Sequence, residues 1–348
     1  VTVQLPSWRP GRYEISNFAG HLRKWKACNN KNEVLAFRKI NKDNWSVSTD
    51  GANELIIKYE YYCAQLDAGA CWVDDEQIYI NPVHCFMFIP ERIHEECVLE
   101  LSIPSNYRIA SSLQKSGEKR LLAEDFDELV DSPFIASPTL QVKSYEAGEV
   151  NFSIAIQGDS QPDWLRILAD FKAFSEKQIE IMGSFPVEDY IFLVQVLPNR
   201  FYHGVEHLRS TVLALGPGSQ LMNDALYTDF IGVASHELFH AWNIKTIRPI
   251  EMMPYDFTKE NYSQLGYVYE GVTTYYGDQI LARADVYSID QFFVELNIRL
   301  QKHFDNPGRL NMAVADSSFD TWLDGYVPGV PGRKTSIYDE GSLTAMMT

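Results

Sequence analysis

His236 and His240 stand four residues apart and frame Glu237 in an apolar stretch with no other formally charged side chain between Asp229 and Lys245. On a helix, positions four apart lie one turn apart on the same face, so both imidazoles can reach one cation. Glu237 is rotated about 100° from His236, beside such a cation rather than on it, where a carboxylate can hold a water. A lone carboxylate in so apolar a helix is costly unless a metal, a water or a hydrogen-bond donor satisfies it. The bare pentapeptide also arises by chance, so its surroundings carry the argument.

Those surroundings contain a second apolar stretch, Asn261 to Gly277, whose single charge is Glu270. Catalytic zinc sites use three protein ligands and leave a position for water, whereas structural ones close with four. His236, His240 and Glu270 would give the open arrangement. Glu251, Asp256, Glu260 and Asp278 compete for the third place, but they lie in more polar surroundings. Pro249 and Pro254 set the first helix to end near Asn243 to Lys245, and Asp256 or Thr258 is placed to cap the second.

Three segments carry a resemblance to the glycyl aminopeptidase family of zinc metallopeptidases, relatives of aminopeptidase N and thermolysin. They are HELFHAWNIKTIRP at 236–249, NYSQLGYVYEGVTTYY at 261–276 and LPSWRPGRY at 5–13. Two further elements resemble functional parts of that family. His203-Gly204-Val205-Glu206-His207 is similar to its Gly-Gly-x-Glu-His strand, where the glutamate pairs with the substrate α-amino group. That implies substrate-binding roles for Gly204 and Glu206. His203 departs from the family's glycine, and a bulkier residue there is expected to narrow or re-aim the first subsite. Tyr338-Asp339-Glu340-Gly341 resembles a Tyr-x-Lys-Gly element whose phenol serves the oxyanion, with Glu340 in place of lysine and expected to point into solvent.

The resemblance implies one Zn2+ per chain held by His236, His240 and Glu270, catalysis by Glu237 and Tyr338, and peptide substrates with a free amino terminus and a small first residue. An endopeptidase of thermolysin type and a non-catalytic peptide-binding relative are the competing readings. The fold implied is multidomain: an all-β sandwich over residues 1–158, then an α+β thermolysin-like zincin domain over 159–348.

The residues themselves agree with that division. NELIIKYEYYC, EQIYINP, ECVLELSI and VNFSIAIQG read as strands separated by turn residues. Helical periodicity starts only after Asp159-Ser160-Gln161-Pro162, with Ser160 or Asp163 to cap and Gly183 to stop it. Strands are expected at 189–197 and near 211–215, a helix from Ile289 to His303 capped by Ser288, and a loop walling the cleft at 324–334. His303 is expected at the surface. Trp8, Pro10 and Tyr13 read as buried turn packing.

A formal net charge of −17 opposes binding to a polyphosphate, which excludes nucleic acid as a partner. No run of eighteen apolar residues is present, so no membrane span is expected; oligomeric state is not legible. The five cysteines are an odd number without paired metal spacing, which reads as free thiols and leans towards a reducing compartment, the cytoplasm, with a periplasmic or secreted location as the alternative. VTVQL opens as a strand without an initiating methionine and GSLTAMMT stops within a helix, as expected of a portion of a longer chain. In the resembling family, more helices and often a PDZ domain follow.

Overall fold

The computed structural model describes residues 1–327 and 329–348; Pro328, within the expected loop at 324–334, lies outside them. Two compact units emerge. The first holds Val1–Leu66, Ala70–Pro138 and Asp256–Glu260, and the second holds Asp67–Gly69, Thr139–Tyr255 and Asn261–Thr348.

The first unit is sheet-rich. Its short sheets are antiparallel: Thr2–Gln4, Asn44–Val47 and Phe37–Lys39 form one, and Trp72–Val73, Ile78–Ile80, Phe134–Ser137 and Arg108–Ser111 another. Leu5, Phe18 and Trp45 fill part of its core, where the Trp25 ring stacks on Trp45 at 5.2 Å. In the 5–13 segment Trp8 and Tyr13 pack inside as expected, whereas Pro10 is only partly buried. Leu5, Trp8 and Tyr13 are fully buried, and Trp8 Nε1 donates to Asp256 O at 2.7 Å. Ser7 N donates to Phe257 O at 2.7 Å, so this segment binds Asp256–Glu260 into the unit.

The second unit is built on a five-stranded mixed sheet. Its spatial order is Gln141–Ala147, Val150–Gln157, Asp189–Val196, Ser210–Gly216, Phe201–Glu206. The three central strands run parallel and the two edges antiparallel. Central strands covered on both faces must be apolar throughout, and Ser210–Gly216 is buried at every position. The helix Trp164–Met182 lies against this sheet through Ile167, Phe171 and Phe174, with Phe171 edge-on to Phe192 at 4.8 Å. Each such ring contributes roughly 1.5–3 kcal/mol by leaving water. Asp163 caps the helix, accepting from Leu165 N at 3.1 Å and Arg166 N at 3.2 Å, and Gly183 ends it at φ 88°.

The division falls at Pro138, not at 158. The hairpin of Gln141–Ala147 and Val150–Gln157 alternates like the strands before it, yet Val150–Gln157 pairs in parallel with Asp189–Val196 and so belongs to the second unit. The helix expected from Ile289 runs to Asp305, and Ser288 with Gln291 makes a full capping box. Among the described residues, no helix is long and apolar enough to cross a membrane.

Candidate metal centre and active site

His236, Glu237 and His240 come from the helix Asp224–Phe239, which is buried on nearly every side because it packs on both the sheet and the helix Trp164–Met182. Gln178 Nε2 of that neighbouring helix donates to Ser235 O at 2.8 Å and to Ser235 Oγ at 3.1 Å. Ser235 Oγ in turn donates to Gly277 O at 2.9 Å. These bonds fix the rotation of the helix at the residue before His236.

The helix stops at Phe239 with His240 as its cap, short of the expected Asn243 to Lys245. The prolines mark only an outer limit; the actual break is a tight turn in which Ile244 takes φ 104°. That turn has a use. Asn243 O accepts from His240 Nδ1 at 2.9 Å, which leaves the Nε2 lone pair for a cation. Asn243 Nδ2 reaches across to Val268 O at 2.9 Å and Thr273 Oγ1 at 3.0 Å, tying the histidine turn to the segment that carries Glu270.

Glu270 lies in one turn of π-helix, Tyr267–Val272, that runs into the helix Thr273–Arg283. Such turns are rare and gather at functional sites. The expected caps are elsewhere: Asp256 Oδ1 accepts from Thr258 N at 2.9 Å and closes a local turn in the first unit. The start of the π turn is satisfied instead by Ser318 Oγ, which accepts from Tyr267 N at 3.0 Å.

These elements bring the three candidate ligands together. His236 Nε2 and His240 Nε2 are 3.0 Å apart, and Glu270 Oε2 is 3.6 Å and 3.4 Å from them. Thr274 Oγ1 lies 3.4 Å from His236 Nδ1. Burial opposes a charge on His240, but the Glu270 carboxylate outweighs it and raises the imidazole to about 10, so a cation binding there displaces the Nε2 proton. Burial likewise opposes the Glu270 anion, and the two histidines overcome it, holding the carboxyl at about 2. Two imidazole nitrogens and one ionised carboxylate, converging from two buried positions and the partly exposed His236, are the donor set that suits Zn2+. The residues present therefore fit the metal.

Around this trio the other predicted residues assemble. Glu206 ends the edge strand Phe201–Glu206 and is buried, not a surface charge. Its Oε1 has no hydrogen-bond partner among the described residues. Acceptor atoms of Glu206, Glu237 and His240 all lie within 4.8 Å of one another. Gly204, on the same strand face, passes directly over Glu237: a Cβ there would sit 2.2 Å from Glu237 Oε1. His203 leaves the strand on the opposite face, with its Nδ1 4.0 Å from Asp67 Oδ1.

Tyr338 caps the last helix, Asp339–Met347, with its ring centroid 6.5 Å from that of His236. Burial and the nearby Glu270 push its phenol well above the ordinary value, so it is neutral, and it shares a hydrogen bond with Tyr326. This helix rests on the π turn backbone to backbone. A Cβ on Gly341 would meet Tyr267 O at 2.5 Å and Gly271 Cα at 2.8 Å. Because backbone cannot swing aside, Gly341→Ala is expected to cost about 2 kcal/mol or more, read as a lowered thermal midpoint. An unchanged midpoint would mean the two helices separate freely.

Glu340 does not point into solvent: its Oε1 is 2.6 Å from His303 Nδ1, and both side chains are largely buried. Tyr326 falls in the loop expected at 324–334, whereas Asn243, Thr274 and Ser318 were not legible as parts of the site. Of these three, only Asn243 carried a signal, sitting three residues past His240 where a helix-ending turn is due.

Family models place the chain. The M61 peptidase N-terminal domain matches residues 1–138, and the M61 glycyl aminopeptidase model matches residues 229–344. An aminopeptidase N family protein from Idiomarina loihiensis is similar in structure at TM-score 0.93 and 28% identity, over 99% of this chain and 61% of that one. This chain thus spans less than two thirds of that relative. An M1 zinc metallopeptidase from Deinococcus radiodurans shares the fold at TM-score 0.50 and 12% identity, over 99% of this chain and 73% of that one. No curated protein matches the sequence. With both models in chain order and the ligand trio inside the second, the chain belongs to the M61 glycyl aminopeptidase family of metallopeptidases.

Proposed function

We propose that this chain is the catalytic portion of a zinc aminopeptidase that removes small residues such as glycine from peptides with a free amino terminus. The finer fold reading goes with it: a β-sandwich followed by a thermolysin-like zincin domain. The observation that carries the proposal is Glu206, a buried carboxylate with an unpartnered oxygen beside Glu237 and His240. Leaving such an anion unpaired is costly, and a substrate ammonium would satisfy it while measuring where the peptide begins.

His236, His240 and Glu270 would hold the zinc. When bound, it supplies Lewis acidity and lowers the pKa of a water in its open position towards ~7. Glu237 takes the proton of the attacking water and delivers it to the leaving amine. Tyr338, kept neutral by burial and by Glu270, donates a hydrogen bond to the oxyanion that develops on the scissile carbonyl. Gly204 lets the edge strand approach closely enough for a peptide to lie along it. The five cysteines are free, which fits a reducing compartment such as the cytoplasm.

The test compares glycine release from a short glycyl peptide with release from its N-acetylated twin, using the zinc-loaded protein. Only the free amine should be processed. Glu206→Gln should lower kcat/KM roughly a hundredfold, mostly through KM, because a charge-assisted pair becomes a neutral one. Equal cleavage of both peptides would sink the aminopeptidase reading and favour an endopeptidase.

A further inference from the structure

The last helix, which presents Tyr338, carries acids at both positions after it, Asp339 and Glu340. Each meets a side chain from the helix Ile289–Asp305, Asp339 two cations and Glu340 an imidazole. Arg299 Nη1 lies 3.9 Å and Lys302 Nζ 3.6 Å from Asp339 Oδ1, and His303 Nδ1 lies 2.6 Å from Glu340 Oε1. Arg299 also engages a third helix: its Nε donates to Asp278 Oδ2 at 3.1 Å, and its Nη2 bonds the same oxygen. Asp278 is on Thr273–Arg283, the continuation of the turn that bears Glu270. One guanidinium therefore links the helix of a metal ligand to the helix of the phenol.

We propose that Arg299 and His303 are positioning residues that hold Tyr338 against the metal centre by clamping the first turn of the last helix. The inference rests on the reading of Tyr338 as the oxyanion donor. Glycine contact alone cannot do this work. Gly271 and Gly341 set how closely the last helix approaches the π turn, but two bare backbones leave its rotation and its slide along the axis free. Charges one and two residues past Tyr338 restrain both motions. Arg299, Asp278 and Asp339 are each less than a fifth exposed, so the pairs are shielded from solvent and restrain more than surface bridges do. The acids also sit at a helix amino terminus, where the backbone dipole favours them. Glu340 is thus matched to His303, and a lysine in its place would face an imidazole and the neighbouring Lys302.

The test places 3-fluorotyrosine at position 338 of the zinc-loaded protein, so that one 19F resonance reports the phenol whether or not substrate turns over. A single narrow line is expected, broadening or splitting in Arg299→Gln and in Glu340→Gln, with bound zinc unchanged throughout. Each disruptive variant should lower kcat on the order of tenfold with little change in KM. The same variant added to Tyr338→Phe should cost less than about twofold more, because the group it positions is already gone. An unchanged line, or an equal loss with and without the phenol, overturns the proposal. Should Arg299→Gln fail to fold, Glu340→Gln carries both readouts. If the parent protein releases no glycine while the line still responds, the aminopeptidase reading fails and the clamp stands.

Discussion

Replacing Glu237 by glutamine is expected to abolish nearly all turnover while leaving the metal bound. Glutamine has the shape of glutamate but cannot accept a proton, so kcat should fall by about a thousandfold, within the range for a lost general base. Zinc content should be unchanged, because His236, His240 and Glu270 are untouched. Stability makes the test sharper. Glu237 is buried with an acceptor atom within 4.8 Å of one on Glu206, and two carboxylates that close repel each other. Removing one charge should leave the thermal midpoint equal to or above that of the parent. Full activity in this variant would refute Glu237 as the base, and a lowered midpoint with lost zinc would give it a structural role instead.

Gly204→Ala should give a second large loss by a different route. The added methyl would fall 2.2 Å from Glu237 Oε1 and 2.7 Å from Val233 Cγ2. The Glu237 carboxylate can swing aside, whereas Val233 is β-branched, buried in a helix and held in one rotamer, so a modest fall in the thermal midpoint is expected with the fold retained. The carboxylate, however, must leave the place from which it reaches the attacking water. A displacement of about 1 Å there can cost on the order of a hundredfold in kcat. Gly20→Ala is the control, since a Cβ there has open space around it and should change nothing. Activity within about twofold of the parent in Gly204→Ala would show that Glu237 keeps its place, and that the strand approaches less closely than the structure has it.

The sequence made the metal trio readable because two separate constraints agreed. Four-residue spacing puts two side chains on one helical face, and a lone carboxylate in an apolar segment needs a partner. Neither constraint reports backbone detail. The π turn around Glu270 depends on the last helix packing against Gly271 and on Ser318 satisfying its first amide, both distant in sequence. The early stop at His240 depends on Ile244 adopting a left-handed conformation, which a β-branched residue does not advertise. At Val150–Gln157 alternation announces a strand but is silent on its partners, and parallel pairing with Asp189–Val196 places that strand beyond the division. Glu340 was misread for the same reason: its partner, His303, lies 37 residues away.

Each unit holds a short piece of chain bracketed on both sides by the other: Asp67–Gly69 in one direction, Asp256–Glu260 in the reverse. The second piece lies between His240 and Glu270, and Trp8 and Ser7 fasten it within the sheet-rich unit. No single cut can then yield two complete lobes. A fragment ending at Pro138 would lack the peptide that Trp8 bonds, and its complement would carry that peptide unsupported inside the span between His240 and Glu270. Either fragment alone should therefore melt below the intact chain.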